Sequence, residues 1–233
     1  MAWKRYLTSW SRYRHSSGFG IHSPFAYRFV RHVWRQPLSY YAYEGIHQLI
    51  EAIKSETTHK QRREIGLIDE REARLLFRLA NFFNPQHMLQ VGAATGIEAI
   101  AMLEVSRTSH LFLYDKQLAQ NTLAVRVLQS QLNRIDCYDD MAVITDEFLR
   151  ASSVATEPSM ALIHLPVDET VLKRLIDSET VVVMRNLRRS GAMRALFDTA
   201  CTLMDKGQTY TNGKIAILIP NPKLQREDFI LWL

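Results

Sequence analysis

Apolar positions along the chain follow two different rhythms. Up to Phe83 they recur at helical spacing, three and four residues apart. Phe25 to about Trp34 reads as a helix, with Ser23 as N-cap and Pro24 at its first position, ending before Pro37. Tyr43 to Lys54 repeats the pattern through Ile46, Leu49, Ile50 and Ile53. Ser55 to Glu64 is polar and aperiodic, and reads as a linker or mobile loop. Asp69 is placed to cap a further helix, Glu70 to Phe83, with Ala73, Leu76, Phe77, Leu79 and Ala80 on one face. Nearer the start, Trp3 to about His15 predicts a short helix, and Ser16 to Gly20 a loop.

From Met88 the rhythm changes to short apolar runs separated by helical stretches. Strands are expected at Met88–Gly92, Leu111–Tyr114, Met141–Ile144, Met160–Ile163 and Thr180–Met184. Helices are expected at Ile97–Val105, Ala119–Leu132, from Glu147, at Glu169–Ile176 and at Gly191–Met204. Continuous apolar strands alternating with helices predict an α/β fold, a doubly wound, mostly parallel sheet covered on both faces. Gln208–Thr211 and Lys214–Ile219 around Asn212-Gly213 read as a hairpin with a type I′ turn, and Phe229–Leu233 as a last extended run. The resulting organisation is an N-terminal helical arm and linker over residues 1–64 and an α/β domain over residues 65–233.

Composition narrows the class. Of 233 residues, 47% are apolar and 23% charged, enough apolar surface for a folded core. No run is long and apolar enough to span a bilayer, and the basic N-terminus lacks the apolar stretch of a secretory signal, so a cytoplasmic protein without membrane contact is expected. Cys137 and Cys201 are too few for a disulfide framework or a zinc site, and read as packed thiols. The net charge of +5 is uneven: Lys4, Arg5, Arg12, Arg14, Arg28, Arg31 and Arg35 all precede Glu44, the first acid, among many aromatics. Such a segment can contact nucleic acid by charge and stacking, but the helical spacing of the aromatics favours an arm packed on the main domain. An arm of this kind also suits a homodimer contact.

The informative motif is Gln90-Val91-Gly92-Ala93-Ala94-Thr95-Gly96, between the first strand and first helix of the alternating region. Gly92 lets the chain turn off the strand. The small residues 93–95 allow a ligand near the backbone, and Gly96 admits close passage into the helix. Asp115, 19 residues after Gly96, ends the second strand. That offset is near the roughly 20 residues at which an acid grips ribose hydroxyls in nucleotide-binding βαβ units.

A Gly-x-x-x-Gly turn with an antiparallel closing pair resembles the class I S-adenosylmethionine-dependent methyltransferases. Gly20-Ile21-His22-Ser23-Pro24-Phe25 resembles the N-terminal signature of a bacterial, O-methyltransferase-like family. Leu75–Leu79 followed by Met88–Gly96 resembles its first motif and the approach to it, and Asp228-Phe229-Ile230-Leu231 its closing strand. The resemblance implies a seven-stranded sheet and methyl transfer from S-adenosylmethionine to a small-molecule substrate. It places Gln90, Gly92, Ala93, Ala94 and Gly96 at the cofactor's methionine part and Asp115 at its ribose. Asp146-Glu147, following the expected third strand, reads either as reaching the adenine through one of its acids, Asp146 first, or as capping the next helix. The motifs also depart from that family. Gln90 stands where an acid is usual, His164-Leu165-Pro166-Val167 replaces an Asp-Gly-Asn-His-like loop, and Arg185-Asn186 replaces two adjacent acids. No carboxylate cluster remains for a divalent ion, so no metal is expected. His164, at a strand tip, is the candidate catalytic group, as a base. His22 reads either as facing the cleft or as fixing the arm, and Arg185, Arg188 and Arg189 as a loop that could hold an acidic substrate. The alternative reading is a catalytically degenerate methyltransferase fold used as a binding or assembly module.

Overall fold

The computed structural model describes residues 22–232. The predicted helix over 3–15 and its proposed contacts lie outside the described residues. Helix α1 (Pro24–Phe29) starts as predicted: the Ser23 hydroxyl accepts from the Ala26 amide, and Pro24 occupies the first turn. It continues as a π-helical stretch, Val30–Trp34. Next come α2 (Ala42–Glu56) and α3 (His59–Glu64). Then α4 (Glu70–Phe83) is capped by the Asp69 carboxylate, which accepts from the Glu72 amide. The stretch expected to be a loop is therefore partly helical. Thr58 and Gln61 form a capping box, which supplies locally what the missing apolar face cannot.

The alternating region gives β1 (His87–Val91), α5 (Ile97–Leu103), β2 (His110–Tyr114), α6 (Thr122–Leu128) and β3 (Ile135–Tyr138). It continues with α7 (Met141–Ser152), β4 (Met160–Ile163), α8 (Glu169–Asp177), β5 (Val181–Met184) and α9 (Gly191–Leu203). The chain closes with β6 (Gln208–Thr211), β7 (Ala216–Ile219) and β8 (Glu227–Ile230). The third strand is thus not Met141–Ile144. Those residues open α7, where Asp140 caps the amides of Ala142 and Val143. The strand is Ile-Asp-Cys-Tyr, at the sheet's edge. Its middle residues are exposed, so it carries no apolar run to betray it. The single helix expected over 119–132 is α6 flanked by 3₁₀ turns.

Among the described residues, eight strands form one sheet in the order β3-β2-β1-β4-β5-β7-β6-β8. The count exceeds the expected seven because β8 adds to the outer side of β6, in parallel. β1 to β5 are mutually parallel, and β7 runs antiparallel to both β5 and β6. The β6–β7 hairpin is present, but its turn is not type I′, which needs positive φ at two successive residues. Gly213 has φ +81° while Asn212 is not left-handed. Instead the Asn212 carboxamide accepts from the amides of Lys214 and Ile215, an Asx-type turn.

Strand residues alternate between two cores, the period-2 rule at work. Met88, Leu111, Leu113, Met160, Leu162, Val181 and Val183 pack with α1, α2, α4 and α5. Leu89, Val91, Ala161, Ile163, Val182 and Met184 pack with α7, α8 and α9. The early helices belong to the first core: Phe29 is fully buried and its ring lies 4.2 Å, centroid to centroid, from that of Tyr210. Trp34 donates its indole N–H to the carbonyl of Trp232. Both faces of the parallel part are covered, as its unbroken apolar strands require.

Candidate functional site

From β1 the chain winds outward through β2 to β3, then returns to the other side of β1 with β4 and β5. The reversal puts a topological switch point between the carboxyl ends of β1 and β4, where open α/β sheets bind ligands. Val91, Tyr114, Ile163 and Met184 share this level of the sheet. The residues that follow them, Gly92, Asp115, His164 and Arg185, form the rim.

Gly92 has φ +87°, and a Cβ there would stand 3.0 Å from Leu165 Cγ and 3.2 Å from His164 Cβ. The turn must therefore be glycine both for its backbone and for the approach of the β4 tip. Side chains of four residues hold the turn. Gln90, fully buried, donates to the Gly92 carbonyl at 2.9 Å, and more distantly to that of Ala93. Asp115 accepts from the Ala93 amide at 2.9 Å and from the Gln117 amide at 2.8 Å. Asn121 donates to the Ala94 carbonyl at 2.8 Å while its oxygen caps α6. The Thr95 hydroxyl donates to Glu98 at 3.1 Å. Ala94 has φ +47°, left-handed backbone that only a small or special residue accepts readily.

Beside the turn lies a cleft of about 550 Å³, bordered by Gly92, Ala94, Asp115, Asn121, His164 and Asn186. Its volume is in the range of small-molecule sites. Glu64, the last residue of α3, and Ile65 and Gly66 after it also border the cleft. The structure thus brings Gly92, Ala94, Asp115 and His164 together. Gln90, Ala93 and Gly96 belong to the turn without bordering the cleft. Gly96, at φ +81°, is packed against α6, where a Cβ would meet Ala124 O, Leu128 and Val127 at 3.2 Å. Asp146 is elsewhere: it sits on α7, exposed, and pairs with Arg174 at 2.6 Å. A place near the cleft requires residues 141–144 to be the third strand; with β3 at Ile135–Tyr138, the acids following that strand are Asp139 and Asp140. His22 is exposed and does not border the cleft. Cys137 is exposed on β3 rather than packed, and Cys201 is intermediate.

Under the rim lies a charged cluster that no single motif announces. By strand parity Gln90, His164 and Arg185 fall on one face, toward α4 and α5. There Arg185, 4% exposed, meets two buried carboxylates. It binds Glu72 of α4 through Nε at 3.2 Å and Nη2 at 3.0 Å, and Glu98 of α5 through Nη1. Glu98 is fully buried, and its Oε1 lies 4.0 Å from His164 Nε2. Burial, and then the Arg185 guanidinium, hold the His164 imidazole well below its ordinary pKa, so it is neutral at pH 7. Two buried polar atoms here have no partner: Gln90 Oε1 and His164 Nε2. The Arg188 and Arg189 side chains are exposed and border, with Arg185 and Asn186, a smaller cavity of about 180 Å³ beside the cleft. Among the described residues no group of three or more His, Cys, Asp or Glu side chains could hold a metal ion.

No protein-family model and no curated protein matches the sequence. Solved structures do match in shape. The SAH-bound methyltransferase PaMTH1 of Podospora anserina aligns over 86% of this chain and 97% of its own, with a TM-score of 0.53 at 11% identity. A methyltransferase from Geobacter sulfurreducens aligns over 79% of this chain and 92% of its own, with a TM-score of 0.53 at 17% identity. The chain has the fold of the class I S-adenosylmethionine-dependent methyltransferases.

Proposed function

We propose that the protein is an S-adenosylmethionine-dependent methyltransferase acting on a small molecule. The observation that carries this reading is the open cleft at the switch point, with the glycine turn on one side and Asp115 at its mouth. The residues present fit the cofactor. Asp115 keeps a free lone pair on each oxygen after accepting one amide apiece, so it can take both hydroxyls of a ribose. When bound, S-adenosylmethionine supplies a sulfonium methyl open to in-line attack. The chain's contribution is positioning: the turn is fixed by Gln90, Asp115 and Asn121 before any ligand arrives, and positioning of this kind carries much of the rate of bimolecular transfer.

Isothermal calorimetry with S-adenosylhomocysteine tests the reading. Saturable binding is expected, weakened about tenfold in Asp115→Asn through loss of charged hydrogen bonds. Absence of binding at ~1 mM ligand would overturn it.

The second reading, a degenerate fold kept as a binding module, draws on the charged cluster. Arg185, Glu72 and Glu98 satisfy one another, and the Gln90 amide faces inward to the turn. It differs in one outcome: S-adenosylhomocysteine binding without methyl transfer to any acceptor in a broad panel of phenols, catechols and amines.

A further inference from the structure

His164 is held by its backbone and left unengaged at its ring. Its amide donates to the Val91 carbonyl at 2.9 Å, and its carbonyl accepts from the Asn186 carboxamide at 3.5 Å. The two ring nitrogens differ. Nε2 is enclosed, without a hydrogen bond, and faces Glu98 Oε1 at 4.0 Å. Nδ1 makes no hydrogen bond either but is not enclosed, and His164 borders the cleft. A carboxylate opposite Nε2 favours the tautomer with the proton on Nε2, because the other tautomer sets a lone pair against an anion. The lone pair then sits on Nδ1, the less enclosed of the two nitrogens of a residue that is 5% exposed.

The charges around the ring complete the arrangement. Behind it stand Glu98 of α5 and Glu72 of α4, both ionically bound to Arg185 at the end of β5. Two carboxylates and one guanidinium leave one negative charge in excess. Across the cleft the charged groups are Asp115 after β2 and Glu64 before β1, and among the described residues no Lys or Arg side chain borders it. Both Asp115 oxygens already accept backbone amides, and Glu64 is exposed. Among the described residues that border the cleft, His164 is the neutral nitrogen base; burial and Arg185 oppose its protonation, so a proton it takes up is readily passed on.

We propose that His164 is the general base of the site, its Nδ1 taking the proton of an O–H or N–H methyl acceptor in the cleft. The inference rests on the methyl-transfer reading and adds the proton's destination to it. In the step, the acceptor's bond to hydrogen breaks and the proton passes to Nδ1. The acceptor atom bonds to the methyl carbon of the sulfonium donor, and the carbon–sulfur bond breaks, its electron pair staying on sulfur as a thioether. The imidazolium, its Nε2–H toward Glu98, returns the proton to water. This is the carboxylate–imidazole logic of hydrolytic triads with the two ring nitrogens exchanged.

Imidazole ¹⁵N NMR on the wild-type protein, with His164 assigned through its backbone, reads the tautomer directly. The Nε2–H form is expected near pH 7, and an Nδ1–H form would overturn the proposal. In turnover with a methyl-labelled donor and a panel of phenols and catechols, His164→Gln is expected to bind S-adenosylhomocysteine within about threefold of wild type. It should lose at least ~100-fold in kcat, the usual share of a general base. Unchanged kcat with intact binding would overturn the base and leave the methyltransferase reading standing. Failure of the wild type to bind S-adenosylhomocysteine would remove both. The tautomer measurement needs no variant, so an Nδ1–H result overturns the proposal even if His164→Gln does not fold.

Discussion

Asp115 ties the glycine turn to the tip of the second strand, so a residue read from its spacing also shapes the loop it serves. Gly92, Gly96 and Asp115 were legible because spacing from a strand end is a local property. The Arg185 cluster was not. Its partners lie 113 and 87 residues away in sequence, and only the seating of α4 and α5 on the sheet brings them together. In sequence Arg185 groups with Arg188 and Arg189 as a basic loop; in the fold its guanidinium is buried and neutralised. Arg185→Met should therefore leave two enclosed carboxylates unpaired and destabilise the protein by about 3–5 kcal/mol in urea denaturation. Gly96→Ala should cost about 1–3 kcal/mol by the same measurement, because a left-handed φ and the tight contact with α6 both oppose a methyl group. In each case a loss below ~0.5 kcal/mol would mean that the site relaxes around the change.

At the level of elements, apolar runs located the strands buried on both faces and failed where burial is one-sided or absent. β1, β2, β4 and β5 were legible for that reason. β3 was not, since Asp136 and Cys137 face outward, and of the nearby apolar run Met141–Ile144, which opens α7, only Ile144 is buried. α3 was missed because it has no buried residue, and its evidence is a cap rather than a stripe. That difference has a measurable consequence. Thr58→Ala should raise amide hydrogen exchange across residues 59–64, by about fivefold for ~1 kcal/mol of lost capping, while global stability stays within about 0.5 kcal/mol. Since Glu64, Ile65 and Gly66 border the cleft, the same variant should weaken S-adenosylhomocysteine binding only if this segment closes over the ligand.

For the molecule as a whole, the buried neutral histidine sets a pH dependence. His164 has a folded pKa well below the ordinary value of 6.5. Above that value both folded and unfolded chains hold the ring neutral. As pH falls below it the unfolded chain takes up a proton that the folded one resists, so stability declines toward the folded pKa. Stability, followed by urea denaturation, should fall between pH 7.5 and pH 5 with a slope of at most about 1.4 kcal/mol per pH unit, and His164→Gln should flatten the decline. An equally steep decline in that variant would assign the effect to other groups.

The indole of Trp34 reaches 198 residues along the chain to the carbonyl of Trp232, and Phe29 is covered by Tyr210 of β6. The helices synthesised early thus wait for a cover that is made last. While the chain grows on the ribosome, the apolar stripe of α1 has no native neighbour on that side until β6 to β8 have emerged. Folding here is completed by closure of the chain's two ends on each other rather than by growth from one end.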